Sequence, residues 1–276
     1  MARSFLITGV SSGLGRELAK AALARGDRVA GTVRKTADAE AFAALGDGAL
    51  PLGVDITDEV GLRAAVAEAE AAFGGLDVLV NNAGYGLIAA VEEASLAEAR
   101  TQFEVNVFGA LCAIQAVLPA MRARGAGHIV NITSVSGLAA WSGTGVYCAS
   151  KFALEAIGEA LAQEVGPLGI KVTNVAPGGM RTDYAGRSMT RAANLIEAYK
   201  STAHEAPRLL AGHAGQESGD PAKAAAAILK IVDADAPPLH LLLGADAIHY
   251  ATRKIAQLTS EIGDWAAVST SIAFED

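Results

Sequence analysis

Three groups of residues in this sequence have types and spacings that could do chemistry. Tyr147 and Lys151 stand four apart in the run YCASK. On a helix they share one face. An ammonium beside a phenol favours the phenolate and lowers its pKa. That brings the phenol within reach of proton exchange near neutral pH. Taken alone, the spacing also fits a surface tyrosine with a solvated lysine. The second group is the run Thr8, Gly9, Val10, Ser11, Ser12, Gly13, Leu14 and Gly15, which follows an apolar stretch and precedes a helical one. Glycines there permit a tight turn and a close approach of backbone to a phosphate. Free N–H groups at the start of the following helix then meet the phosphate charge. The third group is Arg34-Lys35, about twenty residues past the glycines, where a carboxylate would bond a ribose 2′-hydroxyl. Two cations suit a 2′-phosphate instead. One charge-assisted contact is worth about 1.5–3 kcal/mol. The expected cofactor is therefore NADP(H). NAD(H) stays possible if both cations are solvated, or if Asp38 turns to the ribose.

The elements that must position these groups alternate along the chain. Short apolar runs read as strands at 4–8, 28–33, 49–54, 76–80, 128–133, 170–176 and 239–243. Between them lie helical stretches over about 14–25, 36–45, 58–73, 96–123 and 145–166. Continuous apolar strands separated by helices predict a parallel sheet covered on both faces. Right-handed crossovers make it doubly wound. The fold class is α/β: a single Rossmann-type domain with about seven strands. Residues 183–220 break the rhythm, with helical content, several Gly and Pro, and no strand. They read as a substrate lid, or as a plain surface excursion. Residues 245–276 read as a C-terminal helical extension. Trp265 and the apolar tail after it would pack on the body or on a partner.

Composition bounds the partners. The chain has 276 residues, ample for a sizeable core. Lys and Arg total 22 against 30 Asp and Glu, a net charge of -8 with no basic run, so nucleic acid is not an expected partner. No apolar stretch reads as long enough for the roughly 18–20 residues of a spanning helix, so no membrane is expected. The N-terminus reads as strand and not as a cleavable signal. Cys112 and Cys148 lie in apolar helical text and make no disulfide framework, which fits a cytoplasmic enzyme. His128, His204, His213, His240 and His249 show no ligand spacing, so no metal is expected. A hydrolase elbow, G-x-S-x-G, is absent from the sequence.

Several separated motifs together resemble the short-chain dehydrogenase/reductase family, in its shorter-chain branch. They are the TGVSSGLG turn, Asp55 after the third strand, and Asn81-Asn82-Ala83-Gly84 after the fourth. Then come Asn106 in the long helix, Ser134 thirteen residues before Tyr147, the YCASK run, and Pro177-Gly178 with Thr182. Order and spacing match over about residues 3–182. The resemblance implies an NAD(P)-dependent oxidoreductase that interconverts a carbonyl compound and its alcohol. It implies that Tyr147 exchanges a proton with the substrate oxygen and that Ser134 hydrogen-bonds that oxygen. It implies that Lys151 holds the nicotinamide ribose and depresses the Tyr147 pKa, and that Asn106 anchors a water linking Lys151 to solvent. Hydride chemistry belongs to the cofactor. The implied cofactor contacts are Gly9, Ser11, Ser12, Gly13, Leu14 and Gly15 at the phosphates, and Arg34 and Lys35 at the ribose. Asp55 and Ile56 would bracket the adenine, and Asn82, Ala83 and Gly84 would line the riboses. Tyr147 and Lys151 would meet the nicotinamide side, with Pro177, Gly178 and Thr182 at the carboxamide.

A substrate pocket should come from the stretches after Gly84, between Ser134 and Tyr147, and in the lid. Tyr85, Leu87, Val135, Leu138, Trp141, Tyr184, Met189, Leu195 and Ile196 would give it an apolar lining, suited to a lipophilic ketone, aldehyde or alcohol. The same residues could equally be core. The rival readings are an NAD-preferring secondary-alcohol dehydrogenase and a nucleotide sensor without chemistry. A complete set of Asn106, Ser134, Tyr147 and Lys151 argues against the sensor, since binding alone needs no proton donor. A homodimer or homotetramer, paired through the helices at 96–123 and 145–166, is the expected assembly.

Overall fold

The apolar runs become β1 (Ser4–Ile7), β2 (Arg28–Val33), β3 (Ala49–Gly53), β4 (Val78–Asn81), β6 (Gly127–Ile132), β7 (Ile170–Pro177) and β9 (His240–Leu243). They are seen in a computed structural model that describes residues 2–182, 188–205, 208, 212 and 215–274. All seven pair in parallel, in the order β3-β2-β1-β4-β6-β7-β9. The helices between them are α1 (Gly13–Ala24), α2 (Thr36–Ala43), α3 (Glu59–Phe73), α4 (Leu96–Phe103), α5 (Gly109–Arg124), α6 (Gly145–Val165) and α7 (Pro221–Val232). A last helix, α8 (Ala245–Thr270), follows β9.

Burial on both faces explains why the strands read as unbroken apolar text. On one face, Leu14, Leu18 and Ala22 of α1 pack with Ile228 and Val232 of α7 over Phe5, Ile7 and Val29. On the other, Leu62 and Val66 of α3, Val117 and Met121 of α5 and Leu161 of α6 cover Leu6, Leu79 and Ile129. The winding reverses between β1 and β4. Their carboxyl ends therefore open a crevice, the usual ligand position in such sheets.

Three expectations need correction. Residues 183–220 do contain a strand: β8 (Met189–Arg191) pairs in parallel with β5 (Gly86–Ile88) in a separate two-stranded ribbon. Three-residue strands are too short to show a period-two pattern. The tract at 96–123 is also not one regular helix, because residues Glu104–Phe108 form a π-helical turn between α4 and α5. Finally, the helical tract Leu96–Arg124 has 29 residues and holds an 18-residue window of mean hydropathy 1.5, long and apolar enough by length and composition to cross a membrane. Here that composition serves packing instead: Ala113, Val117 and Met121 lie in the core beneath the sheet. Individual polar residues had obscured the window average.

Helix α6 sits unusually close to the sheet. A Cβ on Gly158 would lie 2.0 Å from Oδ1 of the buried Asn174 on β7. Neither backbone can retreat without unpacking β7. Gly158→Ala is expected to lower stability by about 1–3 kcal/mol or more through overpacking, read as a fall in the urea midpoint at unchanged m-value.

Candidate active site

The glycine turn leaves β1 at the crevice. Gly9 and Gly13 take positive φ, 73° and 59°, where a side chain would be strained. Gly15 is required by contact: a Cβ there would lie 2.3 Å from Asn82 Nδ2 and 2.4 Å from the Gly9 carbonyl oxygen. The N-cap of α1, Ser12, makes no side-chain capping bond, and the first turn holds no acid. Its N–H groups therefore form a cradle for an anion. Leu14 is buried in the core while Ser11 is exposed. The turn is locked from the neighbouring strand end. Asn82 Nδ2 donates to the carbonyls of Thr8 (2.8 Å) and Gly9 (2.9 Å). The N–H groups of Asn82 and Ala83 both donate to Thr8 Oγ1 at 2.9 Å. The Asn82 side chain thus holds the turn itself, while Gly84 faces Asn106 and Lys151.

Arg34 and Lys35 are both exposed at the end of β2. Lys35 is the N-cap residue of α2. Asp55 lies close enough to Arg34 to feel its charge. Its carboxyl is held below the usual range by the Thr57 N–H first, with the Thr57 hydroxyl and Arg34 adding to this. Ile56 is buried under Gly109 of α5, so it belongs to the core as well as to this edge.

The second half of the site is carried by α6. Tyr147 lies half-buried in its first turn and Lys151 lies one turn on, 6% exposed. Lys151 Nζ donates to the Ile132 carbonyl oxygen at 2.8 Å. Burial pulls its pKa from 10.5 down to about 8, partly offset by Glu155, so it stays protonated at pH 7. Ser134 ends β6 and caps the short 3-10 turn Val135–Gly137, its Oγ accepting the Ser136 N–H at 3.0 Å. That turn is seated on α6: a Cβ on Gly137 would lie 2.9 Å from the Lys151 carbonyl oxygen. Asn106 sits in the π-helical turn, 1% exposed. Its Nδ2 donates to the Tyr85 carbonyl and to Ser150 Oγ, both at 3.0 Å, and its Oδ1 accepts the Tyr85 N–H at 3.1 Å. A π turn re-aims one side chain within a helix, and here that side chain joins the strand-end loop to α6.

Beneath this edge runs a buried chain that the sequence reading missed. Asn81, Asn131 and Asn174 are register partners on β4, β6 and β7. Asn81 Nδ2 donates to Asn131 Oδ1 (2.9 Å), and Asn131 Nδ2 to Asn174 Oδ1 (3.0 Å). Asn174 Nδ2 donates to Glu155 Oε2 (2.8 Å) and to the Glu155 carbonyl (2.9 Å). Thr133 Oγ1 donates to the other Glu155 oxygen. Burial raises the Glu155 pKa, against the hydrogen bonds from Thr133 and Asn174. Glu155, Glu159 and His240 also bring one donor atom each within 4.8 Å of one another. His240 lies between the two carboxylates, its Nδ1 3.3 Å from Glu155 and its Nε2 3.6 Å from Glu159. Asp246, at the start of α8, was also missed. Its Oδ2 accepts the Gly179 N–H at 2.7 Å, and a Cβ on Gly178 would meet its carboxylate at 2.3 Å. The turn after Pro177 is shaped by that contact. Thr182 lies opposite Gly13, 3.8 Å from where a Cβ would be.

The expected pocket residues divide. Tyr184 and His213 lie outside the described residues. Leu87 is core, packed with Ala89 and Ala192 under the β5–β8 ribbon. Val135 is buried, and Tyr85, Leu138 and Met189 are half-buried. Leu195 is exposed. Trp141 does line a cavity of about 250 Å³, with Ala90, Val91, Tyr199, Thr202 and Ala203. One side of that cavity is the segment 188–205, and carboxylates from the facing segment clamp it. Glu93, 2% exposed, accepts the Ile196 N–H at 2.6 Å and contacts His204 Nε2 at 2.7 Å. Glu98 accepts the Ala193 N–H at 3.1 Å, and the Tyr199 hydroxyl donates to Glu92 at 2.5 Å. Ile196 therefore serves the clamp through its backbone.

The comparisons agree with this geometry. The family model described as short chain dehydrogenase matches residues 3–192. "Oxidoreductase BOA17" of Botryotinia fuckeliana is 36% identical over 277 residues, covering 99% of this chain and all of that one. A 3-ketodihydrosphingosine reductase of Bacteroides thetaiotaomicron is 36% identical, covering 87% of each chain. Among solved structures, a short-chain dehydrogenase from Streptomyces avermitilis superposes with a TM-score of 0.92 at 40% identity, covering 99% of both chains. One from Burkholderia cenocepacia in complex with NADP gives 0.74 at 26% identity, covering 95% and 97%. A Brucella melitensis 3-ketoacyl-(acyl-carrier-protein) reductase complexed with NADH gives 0.74 at 26%, covering 87% and 96%.

Ties from the Ile196 and Ala90 N–H groups and from His204 hold the Glu93 pKa below 4.5, with the Ile196 bond the largest. A lowered carboxylate pKa stabilises the clamped form above pH 4.5, and that contribution is lost as pH falls through the lowered value. Glu93→Gln is expected to speed amide hydrogen exchange in 188–205 at pH 7, and to flatten the acid dependence of that exchange. Unchanged protection would show that the clamp does not hold the segment.

Proposed function

Because the chain belongs to the short-chain dehydrogenase/reductase family of NAD(P)-dependent oxidoreductases, we propose that it interconverts a lipophilic ketone or aldehyde and its alcohol with NADP(H), with Tyr147 as general acid/base. The observation that carries this reading is the buried Lys151, an amine one helical turn from Tyr147 at the carboxyl edge of the sheet. A buried cation is costly unless something uses its charge.

The residues divide the work. Tyr147 donates a proton to the carbonyl oxygen in reduction and takes one from the hydroxyl in oxidation. Ser134 donates a hydrogen bond to the same oxygen as its charge develops. Lys151, fixed by the Ile132 carbonyl, favours the tyrosinate through its charge and offers further N–H donors to a ribose. Asn106 holds the Tyr85 backbone and Ser150, which keeps the loop after β4 and the start of α6 in one arrangement. A nicotinamide cofactor would supply the hydride chemistry when bound. Gly9, Gly13 and Gly15, with the free N–H groups of α1, would hold its phosphates. Pro177, Gly178 and Thr182 would meet the carboxamide end.

Exposed Arg34 and Lys35 at the end of β2 support NADP(H), since neither is buried in a structural role. The apolar cavity walls Ala90, Val91, Trp141 and Ala203 support a lipophilic substrate, in line with a sphingoid-base reductase among the relatives. The exposed Leu96, Phe108 and Phe152 on α4–α6 support a homodimer or homotetramer.

Side-by-side titration with NADPH and NADH tests the cofactor. NADPH is expected to bind tighter, and Arg34→Ala to cost it roughly tenfold or more while leaving NADH unchanged. Equal binding of the two would move the reading to an NAD-linked alcohol dehydrogenase. For the chemistry, Tyr147→Phe should keep NADPH affinity and lower turnover by about 10²–10⁴-fold. Turnover at the wild-type rate would remove Tyr147 from the role.

A further inference from the structure

We propose that the projecting part of α8 pairs antiparallel with the same helix of a second copy of this chain. Along α8, Ile248, Ala251, Ile255, Leu258, Ile262 and Trp265 recur at alternating intervals of three and four. That is the spacing of a seam between two helices. In the first turns Ala251 of this stripe is buried on the body beside Ala247, while Ile248 is 54% exposed and the neighbouring Tyr250 meets the Trp141 ring edge-on at 5.5 Å. Beyond Ala251 the helix runs past the body. There Ile255 is 66% exposed, Leu258 48%, Ile262 62% and Trp265 64%. From Ala251 the apolar stripe thus continues for several more turns with nothing from the described residues beneath it. Helices alone in water are marginal, and Gly263 weakens this one further. Pairing would supply the missing support.

Charge selects the occupant and its direction. Arg253 and Lys254 precede Glu261 and Asp264 along the projecting part. Two antiparallel copies set the bases of one beside the acids of the other, twice, by symmetry. Two parallel copies set like against like. Such a two-fold contact is self-complementary and closed. A membrane surface fits less well, because helices that lie on membranes carry a polar face rich in Lys and Arg. Residues 252–270 carry two bases and two acids.

The test uses the full chain and does not depend on its catalytic reading. Mass is measured by gel filtration with light scattering for the wild type and for Ile262→Asp, with circular dichroism and NADPH binding as fold controls. In a background where Phe108→Asp removes any α4–α6 contact, Ile262→Asp is expected to halve the mass with both controls unchanged. Lys254→Glu and Glu261→Lys should each weaken the assembly several-fold, and the double variant should restore it. An unchanged mass for Ile262→Asp in that background would overturn the pairing. A double variant no better than the singles would overturn the antiparallel arrangement. Flotation of the wild type with phosphatidylcholine vesicles, abolished by Ile262→Asp at unchanged mass, would replace the second copy with a lipid surface.

Discussion

The close seating of α6 on β7 is the constraint on which the rest of the site depends. Gly158 lets the helix approach until Asn174 can reach both the backbone and the side chain of Glu155. From there, amide hydrogen bonds run across β7, β6 and β4, three central strands at matching register. Each buried amide is costly unpaired and stabilising when paired. The chain therefore fixes how far α6 can slide along the sheet. Tyr147 and Lys151 ride on that helix, so their height above the strand ends is set from below.

The same logic explains why the site tolerates a buried amine. Lys151 is held by the Ile132 carbonyl at 2.8 Å, and Glu155 one turn down opposes part of the desolvation. Burial raises the Glu155 pKa, while hydrogen bonds from Thr133 and Asn174 oppose that rise. On the other side of the crevice, Asn82 fastens the glycine turn through backbone carbonyls. Two rigid half-sites thus face each other across the point where the sheet reverses direction. The segment at 188–205, which pairs in the ribbon, is attached by carboxylates at the rim.

Much of this was legible in the sequence because it is local. Strand runs buried on both faces show as apolar text, and the glycine turn shows because Gly9, Gly13 and Gly15 each answer a backbone requirement. Tyr147 and Lys151 show through helical spacing. What escaped is non-local or too short. Asn81, Asn131 and Asn174 lie 50 and 43 residues apart in succession and join only through strand register, the kind of pairing that the fold alone supplies. Asp246 contacts a turn 67 residues earlier. The β5–β8 ribbon spans three residues a side, below the length at which alternation can be read. Leu87 looked like a pocket wall because apolar residues near a site read alike whether they face a ligand or a neighbouring strand.

The clamp on the segment at 188–205 sets a rule for exchanging parts between relatives. Among the described residues, the carboxylates that grip it, Glu92, Glu93 and Glu98, come from one stretch of chain about a hundred residues upstream. The two stretches also share a ribbon and a small apolar core. Neither is a self-contained loop. A graft that transplants only the later one would arrive without its anchors, and one that transplants only the earlier would leave acids facing no donors. The unit of inheritance around the cavity is a two-piece cassette, and the regions must travel together for either to keep its shape.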